Sequence, residues 1–132
     1  MRLQTGKKIN RFDIYVNSAG GNSEEAFGIY DYLKEMQRKK KIKIRTIAIG
    51  RTESAALTVF MAGKERFSYA HTLFMAHKAE IKDKKAIKDY EKKINYCNNY
   101  CEKIYKFKLT EKPLIFNAKE ALKMGIIHRI IE

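Results

Sequence analysis

Ser54 is the residue whose type and setting best suit nucleophilic chemistry. Residues 44–49 are rich in isoleucine and predict a buried strand that ends at Gly50, whereas residues 55–61 are apolar on every side and predict a buried helix. A serine at this junction lies beside backbone N–H groups without helical partners, which can stabilise developing negative charge. The same position is also typical of a helix N-cap, so both interpretations stay open.

His77 closes a second apolar segment, residues 73–76, which predicts a short strand. A histidine in this position can be a structural residue with one satisfied hydrogen bond, or a general base at the rim of a site. His71 and His128 lack this setting, and we interpret them as surface or turn residues.

A glycine turn precedes both of these residues in the chain. Residues 12–16 alternate between apolar and polar and predict a strand, the turn NSAGGN follows, and Ser23 begins a helix with two glutamates in its first turn. The Gly20-Gly21 pair is either a tight connection or a turn that presents a backbone N–H to an anion or oxyanion. Its spacing matches neither the dinucleotide-binding nor the P-loop pattern.

These elements predict an α/β domain with parallel strands, because strand, turn, helix, strand and helix follow one another. Residues 66–69 predict a further strand. Asn117 is the expected cap of a helix over residues 118–124, Gly125 ends it, and the isoleucines of residues 126–131 predict a last strand. Residues 1–11 are polar, and we expect them to be poorly ordered or to need a partner.

Residues 82–107 predict a long charged helix with a narrow apolar seam. The seam positions, spaced alternately by three and four, are Ile87, Tyr90, Ile94, Cys97, Cys101 and Ile104. Such a seam can pack on its own domain or on a helix of a second copy, and the spacing does not decide between them.

The composition indicates one soluble globular domain, residues 1–132, with 45% hydrophobic and 33% charged residues. We expect a cytoplasmic location, because the apolar runs are far shorter than a membrane span and no signal segment begins the chain. Two cysteines four residues apart predict no metal site or disulfide, and we expect no cofactor. The net charge is +13, but acidic residues are mixed among the lysines, and the sequence has no nucleic-acid recognition motif. Nucleic-acid binding is therefore not expected.

In this order, the motifs resemble those of the Clp protease proteolytic subunit family. DIYVNSAGGNSEEAFGIYDYL is similar to that family's strand, Asn-Ser-Pro-Gly-Gly turn and following helix, and GRTESAA to its Gly-x-Ala-Ala-Ser nucleophile motif. ERFSYAHTLFMAHKAE is similar to its Arg-Phe…Met-x-His segment, and NAKEALKMGIIHRII to its closing segment. The resemblance extends from Asp13 to the end of the chain.

The resemblance implies a crotonase-like α/β fold, a stack of ββα units that is incomplete at the N-terminus. It implies Ser54 as nucleophile and His77 as general base, with backbone N–H groups of Gly21 and Ala55 forming the oxyanion hole. It further implies peptide or unfolded-protein substrates and a homo-oligomeric ring that stacks in pairs through the helix of residues 82–107. Docking to an AAA+ unfoldase is not expected, because the family's axial loops have no counterpart here.

The chain departs from the family pattern at the triad acid. Pro113 occupies the position of the family's aspartate, and Glu111 is the nearest carboxylate, so we expect Glu111 to orient His77 if the loop shifts. Thr52 and Glu53 also replace small residues beside the nucleophile, and a carboxylate there can raise the pKa of the histidine or repel an oxyanion.

Two functions follow from these residues. The first is a serine endopeptidase that works through Ser54 and His77; the alternative is a catalytically impaired structural homologue within a Clp-like assembly, which Pro113 favours. A crotonase-type acyl-CoA enzyme shares the fold and the oxyanion hole, but the serine and histidine in family positions argue against it. A Ser–Lys dyad is chemically possible, although no lysine can be assigned to Ser54 from the sequence.

Overall fold

The strands in the described part of the chain form one six-stranded sheet. The computed structural model describes residues 9–80 and 87–132. In chain order the elements are β1 (Arg11–Ser18), α1 (Ser23–Lys39), β2 (Lys43–Glu53), α2 (Ala55–Phe60), β3 (Glu65–Tyr69), β4 (Leu73–Ala76), α3 (Ile87–Tyr105), β5 (Leu114–Asn117), α4 (Ala118–Lys123) and β6 (Arg129–Ile131).

Two of the sequence predictions fall partly outside the described residues. The poorly ordered segment was expected over residues 1–11, of which 1–8 are not described and Arg11 already begins β1. The long helix was expected from residue 82, and its described part begins at Ile87.

β2 lies at the centre of the sheet. It pairs in parallel with β1 along one edge, and along the other edge it pairs first with β3 and then with β4. β6 extends the sheet beside β3 in parallel, and β5 extends it antiparallel to β4. The parallel α/β order predicted from the sequence is therefore confirmed.

The prediction that this central strand ends at Gly50 is wrong, because β2 continues to Glu53. Gly50 adopts a φ of 68°, and the pairing register with β1 shifts at this point, between Val16 and Ser18. The side-chain oxygen of Asn17 accepts a hydrogen bond of 3.2 Å from the N–H of Arg51 and so fills the irregularity. A glycine that looks like a strand end is here a bulge inside a strand.

α2 is buried nearly all round, as its composition predicts. Six residues are too few for a stable isolated helix, so packing against the sheet must hold it. Phe60 of α2 lies 5.9 Å from Phe74 of β4, ring centre to ring centre, and Phe74 stacks at 5.2 Å on Phe116 of β5. All three rings are buried, and this aromatic row ties α2 to the β4–β5 pair.

Two further elements differ from the sequence prediction. Residues 114–117 form β5, which the sequence analysis did not assign, and the last strand contains only residues 129–131. Ile126 and Ile127 are fully buried in the connection before that strand. Hydrophobic isoleucines predict burial equally well in a strand or in a packed turn, so the pattern could not separate the two.

The apolar seam of α3 is buried to different degrees in the two halves of the helix. Of the seam positions, Cys97 is buried and Cys101 and Ile104 are partly buried, whereas Tyr90 is 46% exposed. The C-terminal half of the helix therefore packs on its own domain. No helix in the described part of the chain is long and apolar enough to cross a membrane.

Candidate active site

The pairing of β2 with β4 brings Ser54 and His77 together. The two strands are parallel, and Glu53 lies opposite Met75. The N–H of Ser54 donates a hydrogen bond of 2.8 Å to the carbonyl oxygen of Met75. Because parallel strands end at the same edge of the sheet, the residues that follow β2 and β4 meet there.

The side chain of Ser54 faces His77 and does not cap α2. Its Oγ atom lies 2.9 Å from Nε2 of His77, and among the described residues it makes no capping hydrogen bond. The backbone of Ser54 has φ 55° and ψ −126°, a conformation that costs a non-glycine residue about 1–3 kcal/mol. The structure therefore has the Ser54 hydroxyl facing a histidine and not in the role of a helix N-cap.

The other nitrogen of His77 contacts the main chain. Nδ1 lies 2.6 Å from the carbonyl oxygen of Lys78. A carbonyl oxygen only accepts, so Nδ1 carries the hydrogen in this contact, and in the neutral ring Nε2 is then the acceptor. The acceptor nitrogen is the one that faces the Ser54 hydroxyl.

Glu111 is not in contact with His77. Its carboxylate forms an ion pair with Nζ of Lys78 at 2.8 Å, and its side chain is 91% exposed. This ion pair holds the pKa of Glu111 below its usual value. The antiparallel β4–β5 pair ends where Ala76 lies opposite Leu114, and His77 and Pro113 are the residues that immediately adjoin this last pair. The expected Glu111–His77 contact is therefore replaced by a contact to the main chain.

The first glycine turn packs directly on the Ser54 turn. Gly20 has φ 103°, and a Cβ atom at this position would lie 2.8 Å from both the Glu53 carbonyl oxygen and Cβ of Ser54. Gly21 is exposed and lines the cavity beside Ser54. Ala55 is the first residue of α2, so its N–H has no acceptor within that helix. The turn needs glycine at position 20 for both its backbone angle and its close contact.

A pair of glycine substitutions tests this packing. Gly20→Ala is expected to lower the free energy of unfolding by at least about 1–2 kcal/mol, because alanine is strained at this φ and its methyl group would clash with backbone atoms. Gly28→Ala, on α1, is expected to raise the free energy of unfolding by about 0.5–1 kcal/mol, because the added methyl group would have no neighbour within 4 Å. Urea unfolding followed by circular dichroism measures both. Equal effects of the two substitutions would contradict the close contact.

Thr52 and Glu53, the two residues before Ser54, form polar contacts with β1 and β2. Thr52 is fully buried, and its hydroxyl donates a hydrogen bond of 3.2 Å to the carbonyl oxygen of Val16. The carboxylate of Glu53 lies 3.8 Å from a guanidinium nitrogen of Arg51. The charge of Glu53 beside the serine is thus partly balanced by a neighbour on the same strand.

A cavity of about 410 Å³ opens in front of Ser54 and His77. One wall is the turn into α1, and the other is the inner face of α3, which contributes Tyr90, Ile94, Cys97, Cys101 and Tyr105. Lys93 of α3 and Glu24 of α1 form an ion pair of 2.5 Å between the two walls. Burial raises the pKa of both thiols.

This wall is the part of the site that sequence reasoning missed. The heptad-like spacing of α3 predicted packing on its own domain or on a second copy, and nothing in that spacing distinguishes such a seam from one that faces a cavity. The distance along the chain from Ser54 to α3 also gives no signal of their contact.

Comparison with known proteins identifies the family and the fold of the chain. The family model described as Clp protease matches residues 1–132. The chain belongs to the Clp protease family. Its fold is that of the family, since a solved structure of a ClpP1 mutant from Listeria monocytogenes superposes with a TM-score of 0.75 at 25% identity, over 92% of this chain and 74% of the other.

Two curated Clp protease relatives are similar in sequence. The ATP-dependent Clp protease proteolytic subunit of Carsonella ruddii (strain PV) is 29% identical, and the match covers 89% of this chain and 66% of that protein. The ATP-dependent Clp protease proteolytic subunit 2 of Borreliella burgdorferi is 27% identical, and the match covers 90% of this chain and 66% of that protein. The chain thus spans 66% of the length of these two relatives.

Proposed function

We propose that the protein is a serine endopeptidase of the Clp protease type, with Ser54 as nucleophile and His77 as general base. The observation that carries the proposal is the 2.9 Å contact between Oγ of Ser54 and Nε2 of His77. A serine hydroxyl is a weak nucleophile unless a neighbouring base takes its proton, and this contact is within reach for that transfer.

In the proposed reaction, His77 accepts the Ser54 proton while Oγ attacks the peptide carbonyl. The imidazolium then donates that proton to the leaving amine, and water hydrolyses the acyl-enzyme by the reverse sequence. The carbonyl oxygen of Lys78 takes the place of the triad acid by accepting from Nδ1, although without a negative charge. Glu111 acts on His77 only through its ion pair with Lys78.

The oxyanion of the tetrahedral intermediate is proposed to bind to the backbone N–H groups of Gly21 and Ala55. Both residues line the same cavity as Ser54 and His77. Each preorganised donor of this kind contributes about 10²–10³-fold to the rate in serine proteases. The reaction requires only water as a co-substrate, so the proposal includes no metal or cofactor.

The proposed substrates are peptides or unfolded proteins. The apolar residues of α3 that line the cavity suit an apolar side chain of the substrate. We further propose a cytoplasmic homo-oligomeric ring, supported by family membership. An AAA+ unfoldase and nucleic acid are not part of the proposal.

Hydrolysis of short fluorogenic peptides with an apolar residue before the scissile bond tests the proposed function. Wild type and Ser54→Ala are prepared and assayed in parallel, and size-exclusion chromatography reports the assembly state of each. Sustained turnover by wild type, absent from Ser54→Ala, supports the peptidase. Folded, assembled wild type with no more turnover than Ser54→Ala would instead favour the catalytically impaired homologue.

A further inference from the structure

Tyr105, the last residue of α3, carries a buried hydroxyl that reaches the turn of the proposed nucleophile. Its Oη atom donates a hydrogen bond of 3.3 Å to the carbonyl oxygen of Ser54 and lies 2.6 Å from Oγ1 of Thr58. A phenol has a single hydrogen, so Thr58 is the donor in the second contact. Burial raises the pKa of Tyr105, and the phenol therefore keeps its hydrogen at the pH of any hydrolysis assay.

This hydrogen bond acts on a peptide group that the proposed reaction uses. The carbonyl of Ser54 and the N–H of Ala55 belong to the same peptide unit, which is planar and trans, so the two groups point in opposite directions. A partner that fixes the oxygen therefore also fixes the direction of the N–H. That N–H is one of the two donors proposed for the oxyanion.

The peptide needs such support because of the backbone conformation before it. Ser54 has a φ of 55°, on the side of the Ramachandran map that non-glycine residues avoid. Its carbonyl oxygen accepts a hydrogen bond of 2.9 Å from the N–H of Leu57, which lies within the same short helix. Tyr105 adds a bond from a different element, so it ties the Ser54 turn to α3.

We propose that Tyr105 is a positioning residue that holds the Ser54–Ala55 peptide in the orientation required for the oxyanion hole. The inference rests on the proposed function and extends it to α3. Tyr105 does not touch the reacting atoms and acts through the Ala55 N–H. Thr58 supports it from the opposite side by donating to the phenol oxygen.

Tyr105→Phe tests this role, because it removes the hydroxyl and keeps the ring that stacks 5.5 Å from Phe107. We expect kcat to fall about 10- to 100-fold, part of the loss seen when an oxyanion donor is removed, with KM and the pH profile of kcat unchanged. Thr58→Val is expected to have a smaller effect, and adding it to Tyr105→Phe should cause little further loss. Tyr32→Phe, at a 62% exposed position of α1 outside the cavity, is the matched control and should retain full activity.

Two outcomes would overturn the inference. If wild-type turnover depends on Ser54 but Tyr105→Phe retains wild-type kcat, the proposed function stands and the positioning role fails. The role also fails if kcat falls only in proportion to the folded fraction measured by thermal melting, because that result indicates packing alone. The Ser54→Ala assay, run alongside, separates either result from a failure of the proposed function itself.

Discussion

Replacing either Ser54 or His77 by alanine is expected to reduce kcat for peptide hydrolysis by at least about 10²-fold, which is what remains of the roughly 10⁶-fold effect of a complete triad when its acid is missing, and replacing both is expected to cost little more. The reason is that the two side chains act as one unit. Their 2.9 Å contact allows the hydroxyl proton to move to Nε2, and neither residue accomplishes this step alone. Steady-state hydrolysis of a fluorogenic peptide, with each variant checked for folding and assembly, measures the loss.

Two matched substitutions serve as controls for this prediction. His71→Ala removes an exposed histidine in the turn between β3 and β4 and should leave kcat unchanged. Glu111→Gln breaks an exposed ion pair with Lys78 and should change kcat by no more than about fivefold, because such pairs contribute about 0–1 kcal/mol. A loss with Glu111→Gln as large as that with His77→Ala would show that Glu111 is the acid of a triad.

Pro113→Asp is expected to increase kcat, by between about 10²- and 10⁴-fold, because it supplies the missing acid of the triad. The β4–β5 register ends with the Ala76–Leu114 pair, and one further step along both strands would set position 113 opposite His77. Side chains of directly opposed residues in an antiparallel pair lie on the same face, about 5 Å apart at Cβ. A carboxylate there would stabilise the imidazolium that forms in the reaction, which the uncharged carbonyl of Lys78 does only weakly.

The control for this gain is Pro113→Asn, which makes the same change in backbone freedom but adds no charge. It should leave kcat near the wild-type value. A carboxylate that acts on His77 should also raise the pKa of the histidine, seen as a shift of the acidic limb of the kcat profile to higher pH. An equal effect of aspartate and asparagine would contradict the assignment of position 113 to the triad.

The sequence indicates Ser54 and His77 separately, the first at a junction between an apolar strand and a buried helix and the second at the end of an apolar strand, and only the family resemblance pairs them. Parallel strands end at the same edge, so Ser54 and His77 had to be close once β2 and β4 were neighbours. Burial of α2 was equally predictable, since every side of residues 55–61 is apolar. Side-chain type and periodicity carry this information directly.

The remaining features depend on the backbone, which residue types specify less closely. The partner of Nδ1 of His77 is a main-chain oxygen, and any residue at position 78 has one. The continuation of β2 through Gly50 depends on a bulge that Asn17 completes from another strand. The contact of Tyr105 with Ser54 joins elements far apart in the chain, and the spacing of α3 predicts only that Tyr105 follows the seam.

Labelling with a fluorophosphonate that reacts with activated serines tests the central claim most directly. The full chain is labelled, digested and mapped by mass spectrometry, with Ser54→Ala and His77→Ala treated in parallel. An activated Ser54–His77 pair should give a single adduct on Ser54 of the wild type and none in either variant. Folded wild type that stays unlabelled, or that carries its label on another serine, would contradict an activated Ser54–His77 pair.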